Sequence, residues 1–148
     1  MKKKTYVLTV SKVFPSDHPR AGQETDFVNK ILRGEKIHTI RANYDLWKKR
    51  IDNVSAGEAV LSLRQWEGKP YNSKQIEFLQ LDKAGIQPVY FEDYFYSCCV
   101  IKSFRTLRIS CDDICKNDGL ESEDFERWFR KYDLSKPMAI IHFTEFRY

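Results

Sequence analysis

Hydrophobic and polar positions alternate along several stretches of the chain, and a period of two is typical of β-strands. In residues 74–82 (KQIEFLQLD) the alternation places Ile76, Phe78 and Gln80 on one face of a strand. Residues 83–88 (KAGIQP) interrupt the pattern and predict a break between strands. The strands predicted in this way are residues 5–13, 37–41, 59–66 and 74–82, one or two strands within 89–104, and a last strand within 137–148.

Two other stretches have apolar residues at helical spacing. The first helix is predicted over residues 26–33, with Thr25 as its N-cap and Gly34 in the position of a helix-ending glycine. The second is predicted with Ser122 as its N-cap and with Glu123 and Asp124 in its first turn. Residues 44–54 are compatible with either a short helix or an ordered loop. The apolar positions of the two helices are Phe27, Val28, Ile31 and Leu32 in the first, and Phe125, Trp128, Phe129 and Tyr132 in the second.

The order of these elements indicates the fold class. The strands are not regularly interleaved with helices, which argues against a doubly wound parallel sheet. Short strands with turn-rich connections predict a mixed α and β, mainly β domain over residues 1–148. We expect a small, mostly antiparallel β-barrel of about six strands, with two or three short helices packed outside it.

Composition adds few constraints. The chain has 25 basic and 21 acidic residues, a net charge of +4 that permits a nucleic-acid partner without requiring one. No stretch approaches the roughly 20 apolar residues of a membrane helix, and the first apolar stretch is interrupted too early for a signal peptide. We therefore expect a cytoplasmic protein without a membrane partner. The cysteines are expected to be reduced thiols, and neither a metal site nor a cofactor is expected; they are Cys98, Cys99, Cys111 and Cys115.

The segment GEKIHTIR, residues 34–41, concentrates reactive side chains. In a regular strand Lys36 and Thr39 would face opposite sides, so they converge only if the chain bends near Lys36. In a partly closed site, a lysine with a lowered pKa is a base for a threonine hydroxyl. Arg41 offers a planar fork for a phosphate or a carbonyl oxygen, and His38 is a further candidate ligand-binding residue. The alternative is a basic, solvated edge strand.

A carboxylate upstream of the second helix is the candidate partner for this segment. Asp118 precedes a glycine, in a position to orient a lysine or to accept hydrogen bonds from a base edge. The alternative is an ordinary turn aspartate. Trp47, Trp66 and Tyr71 lie among basic residues and are candidates for stacking on the bases of a nucleic-acid strand.

A family resemblance joins these elements. A helix ending in ILRGEK is followed by HTIR, by the turn and strand SAGEAVLSL, by DGLESEDFERWF and by a final PMAIIHF. In this order the chain resembles the ASCH domain family of PUA-like β-barrel domains. The resemblance covers residues 25–64 and 112–146, and a middle segment at about residues 65–110 is enlarged relative to a minimal member.

The resemblance implies a cleft that receives RNA, a nucleoside or a related small molecule. Some small bacterial members are amidohydrolases that remove the acetyl group from acetylated cytidine. Lys36 and Thr39 fall at the lysine and threonine of that group, and Asp118 falls at its glutamate, one methylene shorter. The implied roles are Thr39 as nucleophile, Lys36 as base, Asp118 as the group that holds Lys36, and Arg41 or backbone N–H groups at the oxyanion.

Two other functions remain open. A non-catalytic RNA-binding module would use the same cleft. Lys36 and Arg41 would then contact phosphates or base edges, and Trp47, Trp66 or Tyr71 would stack on bases. A protein-interaction domain would instead use the aromatic segment at residues 90–96.

Overall fold

The computed structural model describes residues 2–92 and 97–148. Within these residues the chain forms eight strands and four helices, more than the sequence pattern predicted. The elements are β1 (Lys4–Thr9), α1 (Phe27–Leu32), β2 (His38–Arg41), α2 (Tyr44–Ser55), β3 (Ala59–Trp66), β4 (Gln75–Leu81), β5 (Gly85–Glu92), β6 (Ser97–Lys102), β7 (Arg105–Ile109), α3 (Cys111–Asn117), α4 (Ser122–Phe129) and β8 (Met138–His142).

The strands are distributed over two sheets. One has the order β1-β3-β4 and the other has the order β2-β8-β5-β6-β7. The β1–β3 pair is parallel and the other described pairs are antiparallel. The mixed, strand-rich class and the predominance of antiparallel pairing are confirmed, whereas closure into a barrel stays a prediction.

The core is a cluster of buried side chains that come from both sheets and from the helices. β8 is buried at all five of its positions, as expected for a strand with neighbours on both sides and apolar contacts on both faces. The open alternative at residues 44–54 is resolved as helix α2, which contacts β3, β5 and β8. None of the helices in the described part of the chain has the length and apolar character needed to cross a bilayer.

The turn after α1 sets the direction of the GEKIHTIR segment, residues 34–41. Gly34 has a φ of 77°, the left-handed conformation predicted for the residue that ends this helix. The backbone N–H of Lys36 then donates to the carbonyl of Lys30, and that of Ile37 donates to the carbonyl of Asn117. β2 begins only at His38. Lys36 therefore lies in a bent connection before the strand, as its convergence with Thr39 requires.

The ends of the predicted helices shift slightly. The N-cap of α1 is Asp26 rather than Thr25, although the Thr25 hydroxyl accepts a bond from the N–H of Phe27 at 3.3 Å. The N-cap of α4 is Glu121 rather than Ser122, whose hydroxyl instead donates to an Asp112 carboxylate oxygen at 2.6 Å. The Thr25 hydroxyl also donates to the carbonyl of Ser11 at 2.7 Å, so both hydroxyls have partners outside their helices.

One prediction about the middle of the chain is wrong, and two elements there were not predicted. Residues 83–88 were expected to be a break, but β5 begins at Gly85 and pairs with β8. Pro88 is accommodated because pairing with β6 starts only at Val89. Strand β7 and helix α3 were not predicted, since their apolar positions are few and their pairing partners are set by the tertiary structure.

The predicted face of β4 is also wrong. Leu63 pairs with Leu79 but Arg64 pairs with Glu77, so Phe78 is an extra residue in the ladder. Such a bulge breaks the alternation of faces. Ile76 is exposed as a result, while Phe78 and Leu79 are both half-buried.

The cysteines are not all reduced thiols. Cys98 in β6 and Cys111 at the start of α3 form a disulfide with a Cα–Cα distance of 5.7 Å. Cys99 and Cys115 are free and buried. Their spacing in the sequence did not indicate a bridge, because the pairing depends on how β7 returns the chain to β6. The disulfide anchors the helix whose other end leads to Asp118.

We expect removal of this disulfide to lower the free energy of unfolding. The bridge closes a loop of sequence separation 13, and chain-entropy arguments give about 3 kcal/mol for a loop of this length. The measurement is urea denaturation of the oxidised protein and of Cys98→Ala with Cys111→Ala, with Cys99→Ala as the matched control. A reductant should lower the free energy of unfolding of the wild type and leave that of the double variant unchanged. Equal stability of the oxidised and reduced wild type would contradict the prediction.

Candidate functional site

A cavity of about 210 Å³ lies where the end of β1, the β2 segment and the two C-terminal helices meet. Lys36, Thr39 and Arg41 line it from the β2 side, and Asp118 lines it from the turn between α3 and α4. The four residues predicted to act together therefore surround one cavity. Thr39 is 3% exposed and still lines the cavity, so its burial does not place it in the packed core.

Lys36 and Asp118 form a buried pair. The Lys36 Nζ donates to the backbone carbonyl of Asp118 at 2.7 Å and to its carboxylate Oδ1 at 3.1 Å. Both residues are 2% exposed. The Asp118 carboxylate reaches the lysine even though it is one methylene shorter than a glutamate.

Gly119 allows this approach. It has a φ of 79°, and a Cβ at this position would lie 3.1 Å from the Cβ of Lys36. A side chain here would both strain the backbone and press on the lysine. The glycine after Asp118 therefore lets the turn pack directly against the Lys36 side chain.

Burial changes the acidity of Lys36. Loss of solvent lowers its pKa to about 8, and the charge and hydrogen bond of Asp118 offset only part of that effect. The ring of Phe27, whose centroid is 4.3 Å from Nζ, covers the amine from the side of α1. A substantial fraction of Lys36 is thus neutral near pH 8, which a solvated lysine is not.

Arg41 determines the orientation of the Thr39 hydroxyl. Arg41 Nη1 donates to Thr39 Oγ1 at 2.7 Å, and its Nη2 donates to the carbonyl of Thr9 at 2.6 Å. A guanidinium is only a donor, so the threonine oxygen accepts this bond and its own hydrogen is free for another acceptor. Burial lowers the pKa of Arg41 from its ordinary value.

His38 does not line the cavity among the described residues, contrary to its prediction as a ligand-binding residue. It is fully buried behind Asp118, with Nδ1 3.2 Å from Asp118 Oδ1. Its Nε2 lies 2.6 Å from the hydroxyl of Tyr148. Burial lowers the pKa of His38, which favours its neutral form. Because strand side chains alternate, His38 faces away from the cavity that Thr39 lines.

The three predicted stacking residues are also absent from the described lining of this cavity. Trp47 lies on α2, where the Arg50 guanidinium is 4.8 Å from its ring centroid. Trp66 ends β3 and contacts Tyr71, with ring centroids 5.1 Å apart. Tyr71 is 88% exposed. Their neighbouring charges in the sequence indicated a binding surface but not its location.

Other aromatic residues line the cavity instead, and the sequence interpretation missed them. Phe27 comes from α1, Trp128 and Phe129 come from α4, and Tyr132 follows α4. Their helical spacing indicated a buried face, and that face is divided between the core and the cavity wall. The cavity therefore combines a polar floor with an aromatic wall.

The aromatic segment at residues 90–96 is only partly described. Tyr90 to Glu92 end β5, and Phe91 is buried with its ring centroid 5.6 Å from that of Phe125. Residues 93–96 lie outside the described residues. The described portion of this segment thus contributes to the core.

An open depression of about 840 Å³ lies beside the cavity, and Leu120 lines both. Lys30, Glu35 and Lys116 are among its lining residues. Lys30 Nζ donates to the carbonyl of Gly119 at 2.8 Å, so this lysine supports the turn after Asp118. The buried lysine, threonine and carboxylate all belong to the smaller cavity, which is therefore the candidate site.

Comparison with protein-family models, curated proteins and solved structures gave no significant match to this chain.

Proposed function

We propose that this chain is an ASCH-type, PUA-like domain that acts as an amidohydrolase on an acylated nucleoside such as acetylated cytidine. The observation that carries the proposal is the buried Lys36–Asp118 pair, which shares one cavity with Thr39 and Arg41. The two sheets are interpreted as the strands of the PUA-like barrel. A nucleoside substrate agrees with the cytoplasmic location expected from the sequence.

Thr39 is the proposed nucleophile. Its oxygen accepts from Arg41, so its hydrogen is available to a base in the cavity. Lys36 lines the same cavity and has a pKa lowered to about 8, which supports the role of base. When Lys36 is neutral, its two remaining N–H bonds match the two oxygens of Asp118, and its lone pair is free.

The proposed reaction has two halves. The Thr39 oxygen attacks the acyl carbonyl carbon while its proton passes to Lys36, and Arg41 stabilises the oxyanion. The tetrahedral intermediate then collapses with breakage of the carbon–nitrogen bond, and the Lys36 ammonium protonates the amine that leaves. Water hydrolyses the acyl-threonine with Lys36 again as base, which releases the carboxylic acid and restores the hydroxyl.

The test is turnover of cytidine acetylated on its exocyclic amine, followed by chromatography of cytidine and acetate in equal amounts. Two compounds serve as controls. Uridine is a nucleoside without an acyl group, and N-acetyllysine is an acetyl amide without a nucleobase. A Thr39→Val preparation, purified in parallel, identifies activity from a contaminating hydrolase. No release of cytidine by the wild type would reject the amidohydrolase for this substrate.

We expect the rate to rise with pH and to level off above about 8. The proposed base must be neutral to accept the Thr39 proton, and burial brings the Lys36 pKa to about 8. The measurement is kcat/KM between pH 6 and 10. Below the midpoint, kcat/KM should fall about tenfold for each pH unit. A profile that falls as the pH rises from 6 to 8 would contradict Lys36 as the base.

A second candidate function is a non-catalytic RNA-binding module. The exposed Tyr71 ring against Trp66 at the end of the β3–β4 hairpin favours it, because such a pair offers a face for a base. Lys12 lies beside it, with Nζ 3.1 Å from the carbonyl of Glu67. Binding of a single-stranded RNA that weakens steeply with salt and on Tyr71→Ala would support this function. Salt-independent binding would reject it.

A further inference from the structure

A series of hydrogen bonds extends from the buried Lys36–Asp118 pair to Tyr148. The Asn117 amide nitrogen lies 3.0 Å from the Tyr148 hydroxyl, which lies 2.6 Å from His38 Nε2. His38 Nδ1 lies 3.2 Å from Asp118 Oδ1, the same oxygen that accepts from Lys36. The side chains of Asn117, Tyr148 and His38 are thus hydrogen-bonded in series to the carboxylate that binds Lys36.

The two ends of this hydrogen-bonded series determine the direction of its bonds. Asp118 Oδ1 accepts from Lys36, so His38 Nδ1 must donate to it and carries the ring proton of the neutral histidine. His38 Nε2 therefore accepts, and the Tyr148 hydroxyl donates to it. The Tyr148 oxygen in turn accepts from the Asn117 amide nitrogen, which is only a donor. Each hydrogen bond in this series therefore joins one donor to one acceptor, and the series ends at the Asp118 carboxylate.

The position of the chain makes it act on Lys36 through Asp118. Asp118 Oδ1 accepts from both Lys36 and His38, so the hydrogen bond from the histidine constrains the position of this oxygen. Asn117 and Asp118 are consecutive at the end of α3, and the N–H of Ile37 donates to the Asn117 carbonyl. The same turn therefore supports the backbone beside Lys36 and the side chain that orients its partner.

We propose that Tyr148 is a positioning residue that acts through His38 to fix the Asp118 carboxylate against Lys36. Its part in a reaction rests on the proposed amidohydrolase function, whereas its effect on Asp118 and Lys36 does not. The ring of His142 is edge-on to His38, with centroids 5.6 Å apart, and supports its plane from the neighbouring strand. Tyr148 is itself anchored by its backbone N–H, which donates to Gln87 Oε1 at 3.0 Å.

The test compares the wild type with Tyr148→Phe by NMR on the protein labelled with ¹⁵N histidine. We expect the wild-type His38 to carry its proton on Nδ1 and to show a hydrogen-bonded, unprotonated Nε2. In Tyr148→Phe the Nε2 resonance should move toward that of a free ring nitrogen. The titration midpoint of Lys36, followed by lysine side-chain NMR, should move to lower pH, because a less firmly held Asp118 stabilises the ammonium less.

Kinetics give an independent measurement. Misplacement of a catalytic group by about 1 Å costs up to about 100-fold in rate, so we expect Tyr148→Phe to lower kcat by about tenfold or more with little change in KM. His38→Asn keeps a donor for Asp118 but cannot reach Tyr148, and it should behave like Tyr148→Phe. Tyr44→Phe is the matched control, because this half-buried tyrosine lies on α2.

The outcomes separate the two proposals. If the wild type turns over no acylated nucleoside, the amidohydrolase fails, and the histidine spectrum and the Lys36 midpoint still decide the role of Tyr148. A wild-type His38 with its proton on Nε2 would overturn the positioning proposal. An unchanged Nε2 resonance, Lys36 midpoint and kcat in a folded Tyr148→Phe would overturn it as well. Should that variant unfold, His38→Asn supplies the same comparison.

Discussion

Replacement of Thr39 by valine is expected to abolish turnover of acetylated cytidine while the protein stays folded. Valine has nearly the shape of threonine but no oxygen to attack the acyl carbon. Loss of a covalent nucleophile costs on the order of 10⁴-fold or more in kcat. Thr39 lies in β2 opposite Ile141, where a β-branched residue is favoured. The measurement is kcat by product chromatography, together with thermal unfolding to verify the fold.

Thr39→Ser is the matched variant for this prediction. Serine keeps the oxygen that accepts from Arg41 Nη1, so we expect it to retain turnover within about tenfold of the wild type. Mass spectrometry of a rapidly quenched reaction should find an acyl group on the wild type and on Thr39→Ser, and none on Thr39→Val. Comparable turnover by the valine variant would show that the hydroxyl is not the nucleophile.

The convergence of Lys36 and Thr39 could be predicted because its cause is local. A glycine after an amphipathic helix indicates a left-handed residue, and the bend then follows within two positions. Asp118 was a candidate because it precedes a glycine just upstream of the second helix, and the family resemblance then placed it at the position of a glutamate. These short-range signals determined most of the polar floor of the cavity.

The aromatic wall and the chain behind Asp118 could not be predicted in this way. His38 and Tyr148 are 110 residues apart in sequence, and nothing near either one indicates the other. Trp128 and Phe129 have the spacing of a buried helix face, which does not distinguish a core contact from a cavity wall. The first half of strand β5, residues 85–88, was missed for a related reason, since it is stabilised by pairing with β8 rather than by its own pattern.

Replacement of Asp118 by asparagine is expected to destabilise the protein strongly at pH 7. The change keeps the side-chain shape but leaves the Lys36 ammonium buried without a countercharge. Breaking one partner of a buried ion pair costs about 3–5 kcal/mol. The measurement is the free energy of unfolding by urea. Asp45→Asn, in the first turn of the α2 helix, is the matched control and should change stability by less than about 1 kcal/mol.

The pH dependence identifies Lys36 as the cause. Its pKa in the folded wild type is about 8, against 10.5 as the ordinary value, so below pH 8 the folded and unfolded wild type both carry this proton. Without the Asp118 charge the folded-state pKa falls further, and the unfolded chain then binds the proton more tightly than the folded variant. The stability of Asp118→Asn should therefore rise with pH toward 8, while the Lys36 contribution in the wild type stays level.

The double variant completes this test. Lys36→Met with Asp118→Asn removes both charges and should recover most of the stability lost in Asp118→Asn, because no unpaired charge remains buried. It should also lack turnover, since both the base and its partner are gone. A double variant as unstable as Asp118→Asn, with no difference in pH dependence, would mean that the aspartate supports the fold through His38 and the turn rather than through Lys36.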